Sequence, residues 1–269
     1  MELIVNADDL GYSVRRDAGI LSAFQIGAIS SASLIVNGAT SVSAARAARM
    51  AGLPVGLHLN LTEGVPLTPA THITDAHGVL LYKMQFWSLK KTPQVLGDIA
   101  AETSAQLERF KELTGEYPSR VDGHQHAHVA RHVPGAIAGI LREKGVRYVR
   151  IPDQDPDDLT WLDARTRRRY ESRYVSTVAA RLVYARHGFK SPLCFVGLGM
   201  SGAHLTMAHL ATCLSKCNGS TELMVHPGFL KPESDSADPF DGDPGRLREY
   251  HVLMTVARTY TLVDWSSVH

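Results

Sequence analysis

Eight short runs of β-branched and aliphatic residues recur along the chain, at positions 3–6, 32–36, 55–59, 120–122, 148–151, 193–196, 222–225 and 261–265, with helical stretches between them. Such alternation of strand and helix predicts an α/β fold, with a parallel sheet covered by helices. Seven or eight units suit a (β/α) barrel, regular or distorted. The alternative is an open doubly wound sheet, but the first strand-to-helix turn, Asp8-Asp9-Leu10-Gly11, lacks the GxGxxG fingerprint of that class. The clearest helix is predicted over 92–114. Thr92 is its N-cap and Pro93 its first residue; Ile99, Thr103, Leu107, Phe110 and Leu113 share one face, and Gly115 is the stop. Further helices are expected after Asp243-Pro244, over 44–50 with Ser43 as cap, and over 204–216.

With 44% hydrophobic and 20% charged residues, the chain can bury a sizeable core, and it is read as one domain over 1–269, without linker or repeat. A net charge of +1 provides no field to recruit nucleic acid or an anionic membrane, so a small neutral or weakly charged partner is expected. No apolar run is long enough to span a bilayer, and Met1 leads directly into a strand pattern; the cytoplasm is the expected compartment. Cys194, Cys213 and Cys217 are odd in number, without CxxC spacing, and are expected as reduced, buried thiols. Two stretches interrupt the alternation. Residues 62–91 form a long loop whose aromatics, Tyr82, Phe86 and Trp87, can line a sugar site; residues 231–243 read as a lid-like segment.

Polar residues gather where the strands stop: Asp8-Asp9, Asn37, His58, the turn Asp122-Gly123-His124-Gln125-His126-Ala127-His128, Arg150 and His226-Pro227-Gly228. In a barrel these positions meet at one mouth, the face that carries active sites. Asp-Asp-x-Gly alone is also good turn chemistry. Together with His58 and the histidine-rich turn at the same rim, the pair of aspartates points to a metal. One carboxylate and two imidazoles leave a coordination position open for water, as in catalytic sites. The other aspartate can then serve as general base, and His226 across the mouth as general acid, in hydrolysis of an amide or ester. Asn37, His126 and Arg150 are the candidates for binding substrate. The run Arg165, Arg167, Arg168 and Arg169 reads as a solvated helix face, and no GxSxG nucleophile motif is present.

Five segments in order, Asn6-Ala7-Asp8-Asp9-Leu10-Gly11, Leu34-Ile35-Val36-Asn37-Gly38, Gly56-Leu57-His58-Leu59-Asn60-Leu61-Thr62, Val121-Asp122-Gly123-His124-Gln125-His126 and Val225-His226-Pro227-Gly228, resemble the YdjC/ChbG family of carbohydrate deacetylases over essentially the whole chain. The resemblance implies a distorted, TIM-barrel-like (β/α) fold and removal of N-acetyl groups from amino sugars such as chito-oligosaccharides. It implies Asp9, His58 and His124 as metal ligands, Asp8 as base and His226 as acid. The chain departs from the Asp-Ser-His-His-His pattern of many bacterial members by placing Gln125 at the middle position. The ligand set favours zinc, while the family is often assigned magnesium. The rival readings are a catalytically silent sugar- or metal-binding barrel and a metal-dependent phosphoesterase. A homodimer is the default expectation for assembly.

Overall fold

The computed structural model describes residues 2–229 and 243–268. In chain order, β1 (Glu2–Leu10), α1 (Val14–Gln25), β2 (Ser31–Leu34), α2 (Ser41–Ala51) and β3 (Val55–Leu59) form the first half of the alternation. A long segment containing the short α3 (Lys83–Trp87) leads to α4 (Pro93–Thr114), β4 (Arg120–Gly123), a 3-10 turn (His124–Val129), α5 (Val133–Glu143) and β5 (Tyr148–Val149). Then follow α6 (Ala164–Arg186), β6 (Cys194–Val196), α7 (Met207–Leu214), β7 (Thr221–Val225), α8 (Gly245–Thr259) and β8 (Thr261–Leu262).

All the pairings between these strands are parallel. Seven strands run in the order β5-β4-β3-β2-β1-β7-β6, and β8 pairs with the start of β1. A single bridge between Tyr148 and Lys190 joins the β5 edge to the segment leading into β6, so the sheet curls on itself. The fold is the distorted TIM-barrel-like α/β architecture expected from the alternation. β1 has neighbours along both edges and is covered on both faces, so residues 3–10 are all buried.

Period-two alternation divides each strand between two environments. Leu3, Val5 and Ala7 join the main apolar core beneath the helices, whereas Ile4 packs inside with Tyr148, Trp265 and Val268. Above that apolar plug the interior is polar: Asn6, Ser33, Arg120, Asp122, Arg150 and Glu222 are all buried. Gly56 makes room for this layer, since a Cβ there would lie 2.5 Å from Cγ of Arg120.

The helix over 92–114 forms as expected: the Thr92 hydroxyl accepts from the Val95 amide, and Gly115 ends it at φ 97°. The second helix begins earlier than anticipated, at Ser41 after Thr40, so Ser43 lies within it and is not its cap. The stretch expected over 204–216 is helical only as α7, after a short 3-10 turn (Gly202–His204). The thiol expectation is corrected: Cys194 and Cys217 form a disulfide, with Cα atoms 5.6 Å apart, because β6 begins where the chain leaves α7. Cys213 stays free and buried. Of the expected lid over 231–243, all but Asp243 lies outside the described residues. Among the described residues, no helix is long and apolar enough to cross a membrane.

Candidate active site

Consecutive residues of a strand point to opposite faces, yet Asp8 and Asp9 line the same cavity. The register of β1 against β2 shifts between Ala7 and Leu10, and Asp9 has φ 69°, so a bulge turns its side chain to the same side as that of Asp8. Aspartate tolerates this left-handed conformation better than most residues. The other two non-glycine residues with positive φ among those described, Gln125 (52°) and His126 (61°), lie on the same rim. Strain of about 1–3 kcal/mol per such residue is typical of functional sites. Close approach of strand ends also explains Gly38, where a Cβ would sit 2.2 Å from the carbonyl oxygen of Gly11.

Asp9 is the hub. Its Oδ1 lies 2.9 Å from His124 Nδ1 and 3.3 Å from His58 Nε2, while its Oδ2 accepts from Arg16 at 3.0 Å. Burial pushes the Asp9 carboxyl up, but His124, His58 and Arg16 outweigh it and hold it well below the usual range. Each histidine uses its other nitrogen on a second carboxylate: His58 Nδ1 is 2.6 Å from Asp122, and His124 Nε2 is 2.8 Å from Glu63. Burial lowers both imidazoles, yet the acids facing them prevail. His58 is raised to about 10 by Asp122 and Asp8 above all, and His124 is raised chiefly by Asp9.

One oxygen of Asp9 and one nitrogen from each of His58 and His124 lie within 4.8 Å of one another, a set able to hold a cation. The outward nitrogens rest on carboxylates, as those of metal-ligating histidines commonly do. A second group of that kind, Asp8, His58 and Asp122, shares His58 and already faces a cation. Arg150 grips Asp8 with both terminal nitrogens (2.5 and 2.7 Å) and lies 3.2 Å from Asp122 and 2.6 Å from Glu222.

The cavity measures about 340 Å³, within the range of small-molecule sites. Asp8, Asp9, His58, Glu63 and His124 line one side; Tyr82, Lys83, Tyr170 and His226 also contribute. Lys83 has its ammonium lowered to about 8 by burial and by neighbouring Arg173. His226 is held by its backbone, its amide donating to Glu249 and its carbonyl accepting from Arg246; its Nδ1 is 3.3 Å from the Ser201 hydroxyl. Burial keeps its imidazole below the ordinary value in spite of Asp9 and Glu249.

Seven of the eight residues singled out from sequence therefore fall on or under this cavity. Asp8, Asp9, His58, His124, His126 and His226 line it, and Arg150 lies beneath, with none of its surface exposed and its guanidinium spent on three carboxylates. Burial of that kind leaves Arg150 no face for substrate. Asn37 is elsewhere: its amide donates to the Val65 carbonyl and its Oδ1 accepts from Asn60. Of the long-loop aromatics, Tyr82 lines the cavity, while Phe86 is buried in the core. Sequence reasoning missed Glu63, Tyr12 and Arg16. Glu63 has no local motif, but Arg16 follows the Asp8-Asp9 turn closely enough to have been weighed as a partner for it.

A sequence model of the YdjC-like protein family matches residues 2–262. The chain belongs to that family. Among YdjC-like relatives, a carbohydrate deacetylase from Mus musculus is 38% identical, covering 94% of this chain and 88% of its own length. The Homo sapiens carbohydrate deacetylase is also 38% identical, over 94% and 84%. A chitooligosaccharide deacetylase of Yersinia pestis is 37% identical over 54% of this chain and 57% of its own length. A crystal structure from Enterococcus faecalis V583, described in terms of cellobiose-phosphate cleavage, superimposes with a TM-score of 0.77 at 21% identity, over 99% of this chain and 98% of that one. At that identity the likeness speaks for the fold.

Proposed function

We propose that this YdjC-like protein is a metal-dependent hydrolase that removes N-acetyl groups from amino sugars or short oligosaccharides of the chito-oligosaccharide type. The observation that carries the reading is the convergence on one cavity of a buried Asp/His/His donor set, a second aspartate and a further histidine. The names of the mouse, human and Yersinia relatives support the substrate class. The single-domain reading of 1–269 rests on the one sheet that joins β1 to β7 and β8.

In this reading Asp9, His58 and His124 hold a divalent cation, zinc before magnesium by the softness of two imidazoles. When bound, such an ion supplies Lewis-acid polarisation of a carbonyl and acidification of water. Asp8, fixed by Arg150 and Asn6, accepts the proton released by the attacking water. His226 delivers a proton to the leaving amine. Burial lowers the His226 imidazole below its ordinary value, which eases release of the proton it delivers. His126 faces substrate from its strained position: its Nδ1 and Gln125 Oε1 are buried with no hydrogen-bond partner among the described residues. The phosphoesterase alternative wants a second cation near Asp122, where Arg150 and Arg120 already stand.

The test is acetate release, followed by mass spectrometry, from N-acetylated mono- and disaccharides, with phosphate release from phosphoesters measured alongside. Asp9→Asn should lose metal and activity together; Asp8→Asn should keep the metal and lose about two to four orders of magnitude in turnover. Phosphate release without acetate release would refute the assignment, and a fully active Asp8→Asn would remove its base.

A further inference from the structure

We propose that Glu63 is a positioning residue that fixes the orientation and tautomer of His124, an inference that rests on the metal-site reading above. Its backbone is secured independently of its side chain. The amides of Thr62 and Glu63 donate to Asn60 Oδ1, the Glu63 carbonyl accepts from Asn60 Nδ2, and the Asn60 backbone is clasped at both its amide and its carbonyl by Gln106 of α4. Further along, buried Glu102 of α4 accepts from the amides of Leu67 and Thr68. The loop therefore stays in place without the Glu63 carboxylate, which is left to act on the cavity.

There it closes a circuit. Glu63 Oε2 accepts from His124 Nε2 at 2.8 Å and from Gln125 at 3.3 Å, and Glu63 Oε1 accepts from the Tyr12 hydroxyl at 2.5 Å. The Tyr12 ring lies under the Arg16 guanidinium at 3.6 Å, and Arg16 and His124 meet again on the two oxygens of Asp9. With the proton of Nε2 committed to Glu63, it is Nδ1 of His124 that faces Asp9 and His58. A neutral imidazole can ligate only through its unprotonated nitrogen, so the bond to Glu63 selects the atom that the donor set requires. Asp122 does the same for His58 from inside the barrel, but Glu63 does it from a loop whose side chain is 36% exposed. Tyr12 ties that device to the wall that substrate touches.

The experiment compares the full chain with Glu63→Gln, an isosteric change at a partly exposed position. Zn²⁺ titrated alone into the apo proteins should bind about 10–100-fold more weakly to the variant. In 15N-edited spectra of the apo proteins, the His124 Nε2 proton should be protected in the parent and exchange rapidly in Glu63→Gln, while amide exchange over residues 60–68 is unchanged. Unaltered zinc affinity, an unaltered Nε2 proton, or a loosened loop would each overturn the assignment, the last by showing a structural role. If the parent binds no zinc, the metal-site reading fails with it, whereas the proton signal still reports whether Glu63 holds His124.

Discussion

Arg150 is fully buried among Asp8, Asp122 and Glu222, so its removal would strand three carboxylates away from water. Arg150→Met should destabilise the protein by about 3–5 kcal/mol, the usual cost of breaking a buried ion pair from one side. Urea unfolding measures it, and a loss within error of zero would show that the network is not needed for stability. Glu222 provides a pH signature. Burial raises its carboxyl from 4.5 to about 7 against the pull of Arg150, and Asp122 and Asp8 add to the rise; Oε2, which has no hydrogen-bond partner among the described residues, is a fitting place for the proton. A folded-state pKa above the unfolded one means that the folded protein binds the extra proton between those values. Stability from this group is complete below 4.5 and is lost as the pH rises to about 7. Glu222→Gln removes that titration, so its stability relative to the parent should improve across the window, by at most about 1.4 kcal/mol per pH unit. Unfolding curves that stay parallel from pH 4.5 to 7 would contradict the shift.

The long segment between β3 and α4 takes part of its attachment from one helix face. Glu102 is buried in α4 and accepts from Leu67, Thr68 and Gln106. Glu102→Ala would orphan these donors at about 1–3 kcal/mol for each one left buried. Amide exchange at residues 60–68 should rise well above that of the strands, and KM should increase more than kcat falls; unchanged exchange would mean that the apolar contacts of the loop suffice. Interactions of this kind mark the boundary of what could be read beforehand. Thr92, Pro93 and Gly115 announce α4 because caps are local chemistry, and the strands show because they are short apolar runs ending in polar groups. The helix after β1 is implied by the alternation, but its bounds are not legible in the sequence. Its Arg16 and Asp17 are buried, one on Asp9 and the other accepting from the Gly11 amide, so charged residues occupy the face where an apolar stripe is sought. Glu63 was invisible for a different reason: its partners, Tyr12 and His124, are distant in sequence and only the folded sheet brings them near. The pairing of Cys194 with Cys217 likewise depends on how β6 and α7 pack.

At the scale of the molecule, the donor atoms of the cavity come from β1, β3 and the turn after β4, so a cation held there would bind three separate parts of the sheet together. An ion at one hundred times its dissociation constant stabilises the folded state by about 2.7 kcal/mol, or about 5–10 °C in Tm for a domain of this size. Zinc should therefore raise Tm and a chelator lower it, while His58→Ala should show neither response. An equal zinc effect in that variant would place the ion elsewhere. The position of β1 carries one more consequence. Leu3–Ala7 pair with Thr221–Val225, and Glu2–Leu3 with Thr261–Leu262, more than two hundred residues further along the chain. A ribosome adding about 5–20 residues per second spends some ten seconds or more between making the two partners. During that interval one edge of the strand that bears both aspartates has no neighbour, and the barrel cannot acquire its inner wall. The nascent chain thus leaves one edge of β1 unpaired longest, and loop closure of the highest order comes last.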